Sequence, residues 1–238
     1  MKHTRIIILL LVLTATFASL NAQTRLRQPE MYFGAHGGVI ASITMFTPEV
    51  PGTRELLKTA LLGGNAGLMF RYCSNRYFGL QVELNWMQRG WRENTNDDSL
   101  NVHYTRRLDY LELPFLTHFY FGKKNWKGFI NLGPQVGVCI HEYMSGSEHQ
   151  DPDHRTQYST LDNIVDWGLA VGVGFYCNSK KAGVFQFEAR FDYSFGNYFN
   201  DSKRDYFQTS NPLSLSLNVG YLWDVTPRKK MNKTKIQK

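Results

Sequence analysis

Cysteine is scarce in this chain, at three residues in 238. That excludes a disulfide-stapled miniprotein. Long apolar runs are missing as well. Outside the first 20 residues none approaches the ~18 needed for a membrane-crossing helix, so a helical bundle in lipid is excluded. Charged residues make up only 20% and aromatics reach 14%, a balance that excludes intrinsic disorder. No phosphate-cradling loop or dinucleotide fingerprint is present. The net charge of +7 is local: residues 23–227 hold 19 Lys plus Arg against 20 acids, whereas 228–238 hold six cations and no acid. A basic groove for nucleic acid is therefore not indicated, and no nucleic-acid partner is expected.

Lys2 and Arg5 precede the apolar run Ile6–Leu13, and no acid occurs before Glu30. This pattern is that of a secretory signal peptide over 1–22, cut after Ala22. The alternative, an uncleaved anchor, is disfavoured by the short run. No cysteine lies near the cut, which argues against a lipoprotein.

The remaining chain, 23–226, alternates with period two. In Gly183–Gly196, Phe185, Phe187, Ala189, Phe191, Tyr193 and Phe195 share one face, opposite Gln186, Glu188, Arg190, Asp192 and Ser194. Comparable alternation marks 31–43, 61–72, 77–90, 104–121, 129–142, 164–177 and 213–223, giving eight strands. Short turns at 74–76, 122–128 and 178–181 interleave with longer connections at 44–60, 92–103, 144–163 and 197–211. The fold class expected is all-β: an eight-stranded antiparallel up-and-down barrel with both termini on the short-turn side. Only Thr53–Leu61 suggests a short helix.

The apolar faces are expected to point into lipid, as in a transmembrane β-barrel, in preference to a soluble lipocalin-like barrel with its apolar face inside around a ligand. No lysine falls within the eight segments, although water-facing strands use lysine freely. The opposite faces carry mostly Gly, Ala, Ser, Asn and Gln, sizes that fit a narrow lumen. Aromatics cluster near both strand ends, among them Phe78, Trp86, Phe121, Trp167, Phe175, Phe185, Phe195, Tyr221 and Trp223, as a lipid–water interface favours. Arg71, Arg76, Lys123, Lys124, Lys127, Lys180, Lys181 and the tail are assigned to the short-turn rim, and acids such as Glu93, Asp97, Glu142 and Asp151 to the other. In the outer membrane of a Gram-negative bacterium the short turns and termini face the periplasm. Residues 227–238 then form a basic periplasmic tail, either simply solvated or in contact with anionic lipid, cell wall or a partner protein.

Glu83, Arg89, Glu112, Asp166, Glu188, Arg190 and Asp192 are expected to point into the lumen. Eight strands leave room for little beyond side chains, so a salt-bridge plug is favoured over a proton path or small-ion pore.

The stretches Glu83–Trp91, Leu108-Asp109-Tyr110-Leu111-Glu112-Leu113-Pro114 and Asn131-Leu132-Gly133-Pro134-Gln135 resemble hallmarks of the Bacteroidetes outer-membrane β-barrel family, often called PorT-like. Tyr32–Val39 resembles its glycine-rich first strand and Phe187–Phe191 its seventh. The resemblance spans 31–224 and implies an outer-membrane barrel from a Bacteroidetes bacterium, with little implied about activity; the role expected is a structural or interaction one in the cell envelope. It also implies, as an alternative, an accessory to type IX protein secretion, the role linked to the founding member. One departure is that Trp223, the last-strand aromatic, is followed by 15 residues.

A rim enzyme drawing on Ser99, His103, His141 and Ser145 is the remaining alternative, and a metal site at His141, Glu142, His149, Asp151, Asp153 and His154 was weighed with it. Neither set has a compact spacing, so the protein is read as non-enzymatic, with no catalytic, cofactor-binding or metal residues assigned and no cofactor. Outer-membrane lipid is the expected partner, with periplasmic or secretion-system proteins as further candidates. Cys73 and Cys177 fall on opposite walls, so no internal disulfide is expected.

Overall fold

The computed structural model describes residues 29–48, 58–74, 77–97, 100–123, 125–146, 161–179, 183–198 and 207–227. The expected signal segment and nearly all of the basic tail lie outside them. The described residues form eight strands: β1 (Glu30–Pro48), β2 (Lys58–Cys73), β3 (Phe78–Asp97), β4 (Leu100–Lys123), β5 (Trp126–Gly146), β6 (Val165–Ser179), β7 (Gly183–Ser194) and β8 (Phe207–Asp224). Each pairs antiparallel with the next, and β1 closes on β8 from Tyr32↔Asp224 to Pro48↔Phe207. The up-and-down closed barrel read from the alternation is the observed architecture.

Closure removes every strand edge, which is the condition for a sheet to cross lipid without orphaned backbone groups. The faces are disposed as the alternation requires. Leu132, Val136, Leu169, Val171, Phe187, Leu215 and Leu217 are exposed on the outer wall, while Gln81, Glu83, Asn131, Gln186 and Asp192 are buried in the lumen. Two aromatic girdles bound the apolar band. Near the short-connection end lie Trp126 against Phe175, Phe175 against Phe187, and Phe185 against Tyr221. Near the other end Trp167 packs on Phe195 at 5.0 Å.

Several strands run longer than their alternation suggests. The expected loop at 92–103 is a continued ladder, with Asn94↔His103 and Asp97↔Leu100 paired, leaving a two-residue connection at 98–99. The segment 92–99 reads Arg-Glu-Asn-Thr-Asn-Asp-Asp-Ser, without an apolar residue, so the period-two signal stops where the hydrogen bonding does not. Residues 58–61, expected in a short helix, begin β2 instead; 53–57 lie outside the described residues. Lysine is not absent from the strands, since Lys58 and Lys123 are terminal residues and Lys127 is the second residue of β5. The Lys127 ammonium sits 5.0 Å from the Tyr120 ring, at the barrel mouth rather than in the lipid band.

Among the described residues the wall has three seams where the register shifts: at Thr47/Pro48 against β8, at Asp109/Tyr110 against β5, and on β2 against β3. Between Ala60 and Asn65 the β2–β3 register shifts by one residue. Ser42 of β1 spans the gap: its hydroxyl accepts from the Gly90 N–H (2.9 Å) and donates to the Gly90 carbonyl (3.0 Å). Gly90 holds φ +149°, where a Cβ would meet the Arg106 carbonyl and Leu61. Cys73, Cys139 and Cys177 are all free thiols.

The outward assignment gives a first prediction. Val171→Arg, at mid-band on β6, should destabilise the barrel by about 2–4 kcal/mol in denaturant titrations from lipid vesicles, whereas Thr105→Arg, above the band on β4, should cost under about 1 kcal/mol.

Candidate functional site

Among the described residues the buried polar and charged side chains gather in the lumen, whose side chains stack in four layers. At the short-connection end an aromatic floor is made by Tyr32, Met69, Cys73, Tyr120, Phe129, Tyr176, Val184 and Leu222. Arg71 lies just above, its guanidinium 5.5 Å from the Tyr176 ring centroid and 5.7 Å from that of Phe129. Arg71, expected at the short-turn rim, lies near that end but within the lumen. It is 2% exposed and faces inward, because it shares phase with Met69 and Cys73. His118 stacks on the same rings and contacts Asn131 Oδ1 through Nδ1 at 2.7 Å.

The second layer is ionic. Arg190 of β7 reaches across the lumen to Glu83 of β3, four strands away around the barrel, with Nη1–Oε2 at 2.6 Å and Nη2–Oε1 at 2.7 Å. This is a bidentate fork on a carboxylate, the strongest form of the pair. The same guanidinium holds Glu188 at 3.0 Å. Amides occupy the remaining carboxylate lone pairs. Asn85 Nδ2 donates to Glu83 at 2.8 Å, Asn131 Nδ2 to Glu188 at 2.9 Å, and Gln186 Nε2 to Glu188 at 3.1 Å; Gln81 also donates to Glu83. Arg71 ties this layer to the floor through Gln81 (2.6 Å) and Gln186. Two cations and two carboxylates balance, which is the condition for burying charge at this depth.

The third layer is built on Arg89, which meets Glu112 at 2.8 Å and Asp166 at 3.2 Å. Ser194 donates to Asp166 at 2.5 Å, and Ser214 to Asp192 at 3.4 Å. A roof of Trp91, Tyr104, Leu108, Tyr110 and Tyr198 closes the far end, with Cys139 and Leu161 packed against it. Trp91 stacks on Tyr198 at 6.0 Å, and Arg106 lies 5.4 Å from the Trp91 ring while pairing with Glu142. Burial pushes the Tyr198 hydroxyl well above the usual phenol range.

All seven charged residues expected in the lumen are there. Small residues on the wall make room for them. A Cβ on Gly172 would collide with Glu188, one on Gly137 with Glu112, and one on Gly67 with Asn85 and His36. Sequence reasoning missed Arg106, although it falls within the expected strand 104–121; its buried phase is shared with Leu108 and Tyr110.

Of the candidate rim residues, the strand keeps His141 and Ser145 apart, while the β4–β5 register sets His103 one diagonal step from Ser145. His141 and Ser145 are exposed on the outer face of β5, four residues and so about 13 Å apart along the strand. His103 pairs with Asn94 in the ladder, while Ser99 and the His103 side chain lie outside what is described. Of the weighed metal ligands, His141 faces outward and Glu142 turns to Arg106; His149, Asp151, Asp153 and His154 lie outside the described residues.

Arg190→Ala should destabilise the folded barrel by about 3–5 kcal/mol, because it strands two buried carboxylates. Gly172→Val should also destabilise, by about 1–3 kcal/mol, through displacement of Glu188. Urea titration of the vesicle-inserted protein measures both.

The sequence profile described as "Outer membrane protein beta-barrel domain" matches residues 21–200. Among solved structures, the outer membrane protein OprG of Pseudomonas aeruginosa shares the fold at 14% identity, covering 82% of this chain and 96% of its own, with a TM-score of 0.51. Ail of Yersinia pestis, solved with the heparin analogue sucrose octasulfate, matches at 16% identity over 82% of this chain and 99% of its own, with a TM-score of 0.42. The Escherichia coli outer membrane protein W matches at 14% identity over 82% and 97%, with a TM-score of 0.40. No sequence among the curated proteins matches. With a closed, lipid-facing eight-stranded barrel and a profile covering most of its length, the chain belongs to the outer membrane protein β-barrel domain family and resides in the outer membrane.

Proposed function

We propose that the protein is a non-enzymatic, sealed outer-membrane barrel, PorT-like in kind and of Bacteroidetes type, serving a structural or interaction role in the cell envelope. In this reading the signal segment 1–22 is removed, the short connections and the basic tail 227–238 face the periplasm, and the long connections face outward. The observation that carries it is the Arg190–Glu83 fork, which joins opposite walls at mid-lumen with its carboxylates saturated by amides. A small-molecule path along the axis has to break this layer, the Arg89 layer and two aromatic closures. What remains available to partners is the surface: the loops on one side and the cationic rim on the other.

A second reading, an accessory of type IX protein secretion, is favoured by the Leu108–Pro114 stretch. The structure gives that stretch a job in the barrel itself. Glu112 and Pro114 face inward, and Glu112 anchors Arg89. The motif therefore supports membership of a barrel type more than a secretion contact. The rim-enzyme alternative draws least support, given the separation of His141 from Ser145.

The sealed-lumen reading predicts no ohmic current steps for the purified chain in planar bilayers, at any polarity. Steps of stable conductance from the wild-type protein, absent in protein-free controls, count against it. Affinity capture of the tagged chain from its native outer membrane separates the two interaction readings: stoichiometric recovery of secretion components favours the second.

A further inference from the structure

The outer wall of β3–β5 changes character above the lipid band in a way that the barrel alone does not require. On β4 the outward residues from Phe121 to Leu111 are apolar apart from Thr117. Ten residues at ~3.3 Å each, tilted by about 40°, span about 25 Å, the height of an outer-membrane apolar band. The next outward positions are Asp109, Arg107 and Thr105, paired with His141, Tyr143 and Ser145 of β5. Arg92 of β3 pairs with Thr105 and is exposed on the same face.

Arg107 is held but not saturated. Its guanidinium lies 5.4 Å from the Tyr143 ring centroid, and its Nε is 3.8 Å from Asp109 Oδ1, too long for a hydrogen bond. Its side chain is 43% exposed. Asp109 also accepts from Gln88 at 3.4 Å, so the carboxylate beside Arg107 is shared. Arg92 stands one diagonal step away across the ladder, a spacing of about 7–8 Å between Cα atoms. Two cations this close on one face repel unless an anion lies between them, and a planar guanidinium with unspent donors matches phosphate oxygens in a bidentate fork.

We propose that Arg92, Arg107 and Tyr143 form a lipid-phosphate site at the outer-leaflet headgroup level, taking the phosphate of a phosphorylated glycolipid whose acyl chains lie against Trp86, Leu111 and Val138. Tyr143 fixes the Arg107 plane, and Asp109 holds the stem side while the fork faces the lipid. The assignment of this rim to the outer leaflet rests on the orientation proposed above; the recognition chemistry does not.

The test uses the full chain refolded into nanodiscs of dimyristoyl phosphatidylcholine containing either bisphosphorylated or dephosphorylated lipid A. Lipid A retained per barrel after detergent exchange is counted by mass spectrometry. The wild-type protein should retain the bisphosphorylated form at least about fivefold better, and R92A/R107A should lose that preference while keeping heat-modifiable gel migration. R92K/R107K should retain it in part, since the charge remains and the fork does not. Equal retention of both lipids by the wild type, or an undiminished preference in the folded R92A/R107A variant, would overturn the site. Because both leaflets of a nanodisc have the same composition, such a failure leaves the proposed orientation untouched.

Discussion

The guanidinium of Arg190, clasped between Glu83 and Glu188 at the centre of the barrel, is the constraint on which the rest depends. An eight-stranded cylinder in lipid commits most of its greasy residues to the wall. Between the aromatic floor and roof, cohesion inside comes from polar contacts. Polar contacts away from water are strongest where charges are paired and hydrogen-bonded. Around Glu83 and Glu188 the amides of Gln81, Asn85, Asn131 and Gln186 supply those hydrogen bonds, and the glycines of β5 and β6 leave the volume in which the longer side chains lie.

The same logic explains the layering. Ionic layers at mid-lumen are shielded at one end by Tyr120, Phe129 and Tyr176 and at the other by Trp91, Tyr110 and Tyr198. Each closure also engages a cation, Arg71 below and Arg106 above, so that ring faces and guanidinium groups share the boundary between charged interior and solvent. The seam beside Ser42 follows a related rule. Where β2 bulges from β3, a side-chain hydroxyl takes over the ladder hydrogen bonds that the backbone cannot make.

Much of this was legible in the amino-acid sequence, because a barrel wall has two chemically opposite faces and period two reports them directly. The phase of six strands, the outward direction of the apolar face and the seven inward charges follow from that signal, whereas the glycine-rich 31–43 and 61–72 alternate too weakly to set theirs. What escaped it has physical causes. Arg92 to Asp97 and Leu100 to His103 continue the β3–β4 ladder through a stretch of mostly polar sequence that carries no alternation. Arg71 lies close in sequence to a turn, and only the phase shared with Met69 places it inside. Above all, pairing across the lumen joins β3 to β7, residues 107 positions apart, and depends on how the closed sheet is staggered. Sequence periodicity carries no information on that stagger. The rim residues His141 and Ser145 illustrate the converse, since a shared loop composition suggested proximity that the extended strand denies.

A double-mutant cycle between Glu83 and Arg190, read as unfolding free energy from lipid vesicles with Glu83→Gln and Arg190→Met, tests the central tie most directly. The account predicts a coupling of about 2–3 kcal/mol, the double variant being far less impaired than the sum of the singles. Additivity within about 0.5 kcal/mol would contradict it.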